Sequence, residues 1–176
     1  MRLLSKKFKT KREQQDELLA EFENVPWKYV ADWIVSNPSP GICLHERDKP
    51  PSDFLLESLP DHMKFWALRY RRIQFGKTGS IDLDLQQKLE WKWEESQGNA
   101  ELPRMILGSF VPYFAICLES ETNAFGIMNL EAGFDQEIMA YSSVGHMIIW
   151  ENDIDEREAT VQKILLDHQS RGQEST

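Results

Sequence analysis

The sequence predicts an α+β domain, with N-terminal helices, an antiparallel β-meander in the second half and a C-terminal helix. Three observations carry that prediction. Up to residue 75, apolar residues mostly recur at three- and four-residue spacing, the helical period. From Met105 to Tyr141 they come instead as short runs separated by turn chemistry at Gly108-Ser109, Glu119 to Asn123 and Gly133. After residue 155 the helical spacing returns with Val161, Ile164 and Leu165.

Residues 13–23 read as the first helix, apolar at Leu18, Leu19 and Phe22, with Asn24 and Pro26 interrupting it. Trp27, Val30, Ala31, Ile34 and Val35 predict a second helix, stopped by Asn37-Pro38-Ser39-Pro40-Gly41. Ile42-Cys43-Leu44 has strand character, and 46–53 reads as loop. Ser52-Asp53 suits the cap of a short helix over 53–58. Leu59 to Phe75 reads as the clearest helix. Pro60 fits a first helical position, Asp61 fits the positive end of the dipole, and Met63, Trp66, Ala67, Tyr70 and Ile73 make one stripe. Arg69, Arg71 and Arg72 fall late in it, and Gly76 is placed as its left-handed cap.

Ile81, Leu83 and Leu85 alternate with Asp82 and Asp84, a short strand. Leu85, Leu89 and Trp93 are four apart, so a helix is expected from near Gln86 to Ser96. Strands are expected at Met105 to Leu107, Tyr113 to Leu118, Phe125 to Leu130 and Ile138 to Tyr141. Ser142-Ser143 is placed as the cap of an apolar element, Val144 to Trp150, and the last helix covers 155–168. The organisation is therefore a basic flexible start (1–12), one domain (13–168) and a polar tail (169–176).

Composition excludes several classes. Of 176 residues, 41% are hydrophobic and 11% aromatic, which supports a core and excludes disorder for the bulk of the chain. Two cysteines cannot staple a chain of this length, so a disulfide scaffold is excluded. Cys43 and Cys117 lie in apolar surroundings and are read as buried free thiols, with a single disulfide between them as the alternative. No apolar run is long enough to span a bilayer, and no apolar stretch follows the basic start as a signal peptide requires. A cytoplasmic location is expected. The net charge of −9 argues against a general nucleic-acid binder.

Motifs for catalysis are thin. Gly76-Lys77-Thr78 resembles the end of a phosphate loop, but Arg71 stands where its first glycine belongs. Asp61, Glu90 and Lys92 have the outline of a metal-dependent nuclease site, the rival reading. Glu90 and Lys92 fall in the expected helix, where residues two apart diverge. His45, His62, His146 and His168 show no metal-ligand spacing, and Cys43-Leu44-His45 is a pair without a second half. No nucleophile elbow is present. The expectation is a non-enzymatic protein with no cofactor and no metal.

Charge is the most uneven feature. The first twelve residues hold six basic groups and no acid, which leaves −15 on residues 13–176. Residues 119–158 hold ten acids against Arg157 alone. Glu119, Glu121, Glu131, Asp135, Glu137, Asp153 and Asp155 fall in turns and at element ends, where they would form a docking face for a basic protein partner. Trp150 and Trp91 are the candidate apolar anchors beside them.

The second half also resembles the SUKH superfamily over about 52–168. The resemblance rests on Leu59-Pro60-Asp61-His62-Met63-Lys64-Phe65-Trp66 opening a helix, on strands at Tyr113 to Leu118 and Phe125 to Leu130, and on Ser142-Ser143 before Val144 to Trp150. Gly76-Lys77-Thr78-Gly79 departs from that family's glycine pair, and Val111-Pro112-Tyr113 stands where a Gly-Asp step is usual. The resemblance implies an α+β interaction domain, such as an immunity protein that neutralises a nuclease-type toxin. A viral or plasmid-borne regulator that binds a host protein is a third reading, which shares the same observables. No direct nucleic-acid or membrane partner is implied.

Overall fold

A computed structural model describes residues 9–51, 53–57, 59–84, 104–110, 113–119, 122–132 and 138–174. Helix α1 (Lys11–Glu23) begins two residues before the expected start. Thr10 Oγ1 accepts from the Glu13 N–H at 3.2 Å, and Glu13 Oε2 accepts from the Thr10 N–H at 2.7 Å. This reciprocal box closes two of the open donors at the helix start. Helix α2 (Trp27–Ser36) follows and buries Val30, Ala31 and Ile34. Val35, placed on the same stripe, is exposed.

The chain then lays down β1 (Ile42–Glu46), short α3 (Asp53–Glu57), α4 (Asp61–Arg69), β2 (Tyr70–Phe75) and β3 (Gly79–Asp82). Strands β4 (Arg104–Phe110), β5 (Phe114–Glu119), β6 (Phe125–Asn129) and β7 (Met139–Tyr141) follow, with a 3-10 turn at Leu130–Ala132. Helices α5 (Val144–Asn152) and α6 (Arg157–Glu174) complete the chain. Among the described residues, the seven strands form one antiparallel sheet in sequence order. The expected α+β class and meander are therefore present, and the meander reaches back to residue 42.

One face of the sheet carries the core. Ile73, Phe75, Ile81, Leu107, Ile116, Leu118 and Phe125 join Phe22, Val30, Trp66, Met147, Ile148 and Ile164 from the helices in a single cluster. On the other face Ala115, Cys117 and Met128 form a second, small cluster. Strand β5 is thus buried on both faces, as a central strand lined by Ala115, Ile116, Cys117 and Leu118 should be.

The expected helix over 59–75 needs correction. It stops at Arg69, and Tyr70 is already extended at φ −125° and ψ 141°. From there Ile73 and Phe75 point inward while Arg72 and Gln74 stay exposed, a period of two. Strand β2 pairs with both β1 and β3, and this two-sided pairing outweighs a helical spacing that Tyr70 and Ile73 also fit. Arg71 and Arg72 are therefore strand residues. Gly76 is left-handed (φ 58°) as expected, but in the β2–β3 turn, where its N–H faces Gly41 O at 3.0 Å and Asn152 Oδ1 at 2.9 Å. The expected helix beyond Gln86 lies outside the described residues.

Further boundaries differ. Strand β3 begins at Gly79 and ends at Asp82, before Leu83, and Leu85 lies outside the described residues. Gly108-Ser109, expected as a turn, lies inside β4, where Gly108 pairs with Ile81 and its missing Cβ lets the Ser80 carbonyl approach. Helix α6 runs to Glu174, through most of the segment read as a polar tail. Arg171 stands 3.5 Å from Asp167 and its guanidinium lies over the Tyr29 ring, contacts that support the added turns. The thiol reading is half right: neither cysteine is in a disulfide, Cys117 is buried, but Cys43 is exposed. Cys43 lies on the edge strand β1, opposite Gln74 on the face away from the main core.

Arg47 pins the junction of three elements. Its side chain is 8% exposed. Its Nε donates to Ala67 O at 2.6 Å and Tyr70 O at 3.2 Å, and its Nη2 donates to Leu83 O. Asp84 lies 3.7 Å away at the rim. The planar fork reaches the end of α4, the start of β2 and the residue after β3 together, which a lysine cannot do. Arg47→Met should lower stability by about 2 kcal/mol, because buried carbonyls lose a charged donor. Urea denaturation checks this; an unchanged midpoint would contradict it.

Candidate functional site

The acids proposed as one docking face are distributed over different parts of the fold. Phe114 pairs with Asn129 at one end of β5. Glu119 is at the other end, five residues on, which is about 17 Å away along a strand. It is only 7% exposed. Its backbone N–H donates to Ala124 O at 2.9 Å, and its carboxylate accepts from Thr122 Oγ1 at 2.9 Å. Glu119 therefore closes the β5–β6 turn and is not part of an open surface. Glu131 is exposed, two residues beyond Asn129, at the opposite end of the sheet. Glu121, Asp135, Glu137 and Trp91 lie outside the described residues, as do Glu90 and Lys92 of the rival nuclease reading. Asp61 is exposed in the first turn of α4, 3.5 Å from Lys64.

Trp150 is not an exposed anchor. It is 7% exposed, and the Arg157 guanidinium lies 4.5 Å from its ring. Arg157 Nε donates to the Trp150 carbonyl, and Arg157 Nη2 stands 3.8 Å from Glu151. Glu151 in turn accepts from the Tyr141 hydroxyl. Burial, then the Glu151 charge, hold that hydroxyl far above its ordinary range. This closed cluster ties β7, α5 and the start of α6 together. The apolar run Met147 to Trp150 looked the same in sequence as an exposed anchor, because burial depends on where α6 returns.

Asp153 and Asp155 are exposed, as the docking role requires. They lie in the α5–α6 turn, where Asp153 Oδ1 accepts from the Asp155 N–H at 2.9 Å. Exposed Glu156 and Glu158 follow at the start of α6, where acids also offset the helix dipole. Asp153 and Glu156 border a cleft of about 400 Å³ between α2, α5 and α6, lined also by Trp33, Pro40, Asn152 and Lys163. Trp33 is half-buried there. The apolar spacing of α2 gives no sign of a cleft beside Trp33.

A Ser–His pair also invites a catalytic reading. Ser143 Oγ stands 2.7 Å from His146 Nδ1. His146 Nε2 is 3.0 Å from Phe22 O, which can only accept, so Nε2 carries the proton and Nδ1 accepts from the serine hydroxyl. Ser143 Oγ also accepts from the His146 N–H at 3.3 Å as the N-cap of α5. Ser143 is 1% and His146 0% exposed, so no substrate carbonyl has a route to the hydroxyl. The pair is a helix cap extended to dock α1. Burial lowers the affinity of His146 for a proton, with Glu23 opposing. His62, whose Nδ1 faces the Val144 N–H at 3.3 Å, is driven down to about 4, first by burial and then by His146. Both imidazoles are therefore neutral in the native protein at neutral pH.

Among the described residues, no three His, Cys, Asp or Glu side chains gather to hold a metal ion. None of the described helices is long and apolar enough to cross a membrane. Comparison with family models, curated proteins and solved structures found no match.

Proposed function

We propose that this chain is a non-enzymatic protein-binding domain whose acidic α5–α6 turn, with the adjoining cleft, takes a basic protein partner. The observation that carries the reading is the placement of exposed Asp153 and Glu156 on the rim of the cleft that holds Trp33. Acids at a rim steer a basic partner into encounter, and a partly buried indole supplies contact area once it arrives. Asp155, also exposed, lies in the same turn.

The partner class follows from charge and from the resemblance of 52–168 to the SUKH superfamily. A toxin of the nuclease type carries a basic groove built for phosphates, and an acidic turn can occupy that groove. Neutralisation of such a toxin in the cytoplasm is the specific role proposed. A basic host protein is the alternative occupant.

A photocrosslinking residue at Asp155, expressed in the source cell, tests the site. Basic proteins should be recovered from Asp155 and not from a control at Leu68, which is exposed on α4. Equal recovery from both positions would contradict the assignment.

A further inference from the structure

Strand β2 carries a bulge. Its pairing with β1 runs from His45 opposite Arg72 straight to Glu46 opposite Tyr70, so Arg71 is an extra residue with no counterpart on β1. On its other side the Arg71 carbonyl still accepts from the Leu83 N–H at 2.8 Å. In a regular strand Arg71 and Arg72 would face opposite sides of the sheet. Here both are exposed, and both line one cleft of about 330 Å³ with His45, Asp82 and Asp84. A bulge re-aims a side chain in this way. The two acids of the cleft already have partners: Asp84 lies 3.7 Å from Arg47, and Asp82 Oδ1 accepts from the Asp84 N–H at 3.0 Å. Among the described residues, neither Arg71 nor Arg72 makes an ion pair. With Arg47 included, three guanidinium groups stand against two carboxylates, a positive excess on a chain whose net charge is −9.

We infer that this cleft binds a sugar phosphate, with the phosphate on Arg71 and Arg72 and the sugar hydroxyls on Asp82, Asp84 and His45. Two adjacent guanidinium forks match the oxygens of one phosphate. The carboxylates repel a bare anion and can only accept hydrogen bonds, so they select an anion that brings hydroxyl donors with it. His45 Nε2 stands 2.7 Å from Gln74 Oε1. An amide oxygen only accepts, so the neutral imidazole carries its proton on Nε2 and leaves Nδ1 to accept from a further hydroxyl. The volume is at the small end of ligand pockets, as a ligand of this size requires. A free phosphosugar and the ribose phosphate of a nucleoside monophosphate carry the same chemistry. The inference is independent of the acidic turn, because none of its residues lines the cleft between α2, α5 and α6.

The test is calorimetric titration of the full chain with ribose 5-phosphate. Binding should saturate at one ligand per chain, at least about tenfold tighter than inorganic phosphate, and ribose alone should not bind. Arg71→Gln/Arg72→Gln should weaken it by at least about tenfold, while the thermal midpoint stays within a few degrees because both side chains are exposed. Lys28→Gln/Lys77→Gln removes the same charge from exposed positions elsewhere and should leave the affinity unchanged. Adenosine 5′-monophosphate separates the two sources: binding at least as tight as ribose 5-phosphate assigns the cleft to a nucleotide, and weaker binding assigns it to a free phosphosugar. No saturable binding, inorganic phosphate as tight as ribose 5-phosphate, or equal affinities for the arginine and lysine variants would overturn the inference. If Arg71→Gln/Arg72→Gln fails to fold, the backbone amide resonances of the wild type decide. Ribose 5-phosphate should shift the signals of Arg71, Arg72, Asp82 and Asp84, and shifts confined to other positions overturn it equally.

Discussion

Acidification from about pH 6.5 to about pH 4 should remove roughly 3 kcal/mol of stability through His62 alone, as the interval between its ordinary value of 6.5 and about 4 in the fold requires. Between those values the unfolded chain binds a proton that the native chain refuses. The contribution is therefore fully present above about 6.5 and is lost as pH falls toward 4. Burial is the main cause, the neighbouring His146 adds to it, and Asp61 opposes. His146 acts in the same direction, with Glu23 and the carbonyls of Phe22 and Val25 opposing. Carboxylates elsewhere also titrate in this range, so the informative quantity is a difference. Wild type and His62→Gln should diverge in their pH dependence by roughly that amount, measured by urea denaturation at pH 7 and pH 4. Parallel curves would contradict the burial argument.

Gly126→Ala should destabilise the fold by about 3 kcal/mol or more, through overpacking against backbone. A Cβ at Gly126 would lie 2.1 Å from the Met139 carbonyl oxygen and 2.9 Å from Ala140 Cα. No rotamer relieves a clash with backbone, so β6 and β7 must part. Strand β7 has only three residues, and Gly126 faces Ala140 at the middle of its pairing with β6. The loss should spread to α5, because β7 leads directly into the Ser143 cap. A thermal midpoint close to wild type, followed by circular dichroism, would contradict this account of the strand approach.

Much of the fold was legible in local chemistry. The Ser143 cap, the stop after α2 and the strand positions from β5 to β7 follow from residue type and spacing, whereas Gly108-Ser109 read as a turn and instead lies inside β4. The Thr10-x-x-Glu13 box was equally visible, though spacing alone put the first helix two residues late. The α4–β2 boundary was not legible, because Tyr70 and Ile73 satisfy a helical stripe and Ile73 and Phe75 satisfy a strand. Only pairing with β1 and β3 decides between them. The candidate site was less legible than the fold. Charge density marked 119–158 correctly as acidic, but it could not separate Glu119, closed into a turn, from Asp153 and Asp155, which face solvent. Nor could it distinguish Trp150, covered by Arg157, from Trp33 beside the cleft. The Glu119 outcome is set by how the β5–β6 turn closes, and the Trp150 and Trp33 outcomes by where α6 packs, which is a long-range fact.

The central claim is that the acidic α5–α6 turn recruits a basic protein. The most direct measurement is the association rate of the purified crosslinked partner with wild type and with Asp153→Lys/Asp155→Lys/Glu156→Lys, across ionic strength from about 50 to 300 mM. Electrostatic steering predicts a wild-type rate that falls steeply with salt, and a reversal variant that associates at least about tenfold more slowly at low salt with a flat response. Identical rates and identical salt slopes for the two proteins would contradict the claim.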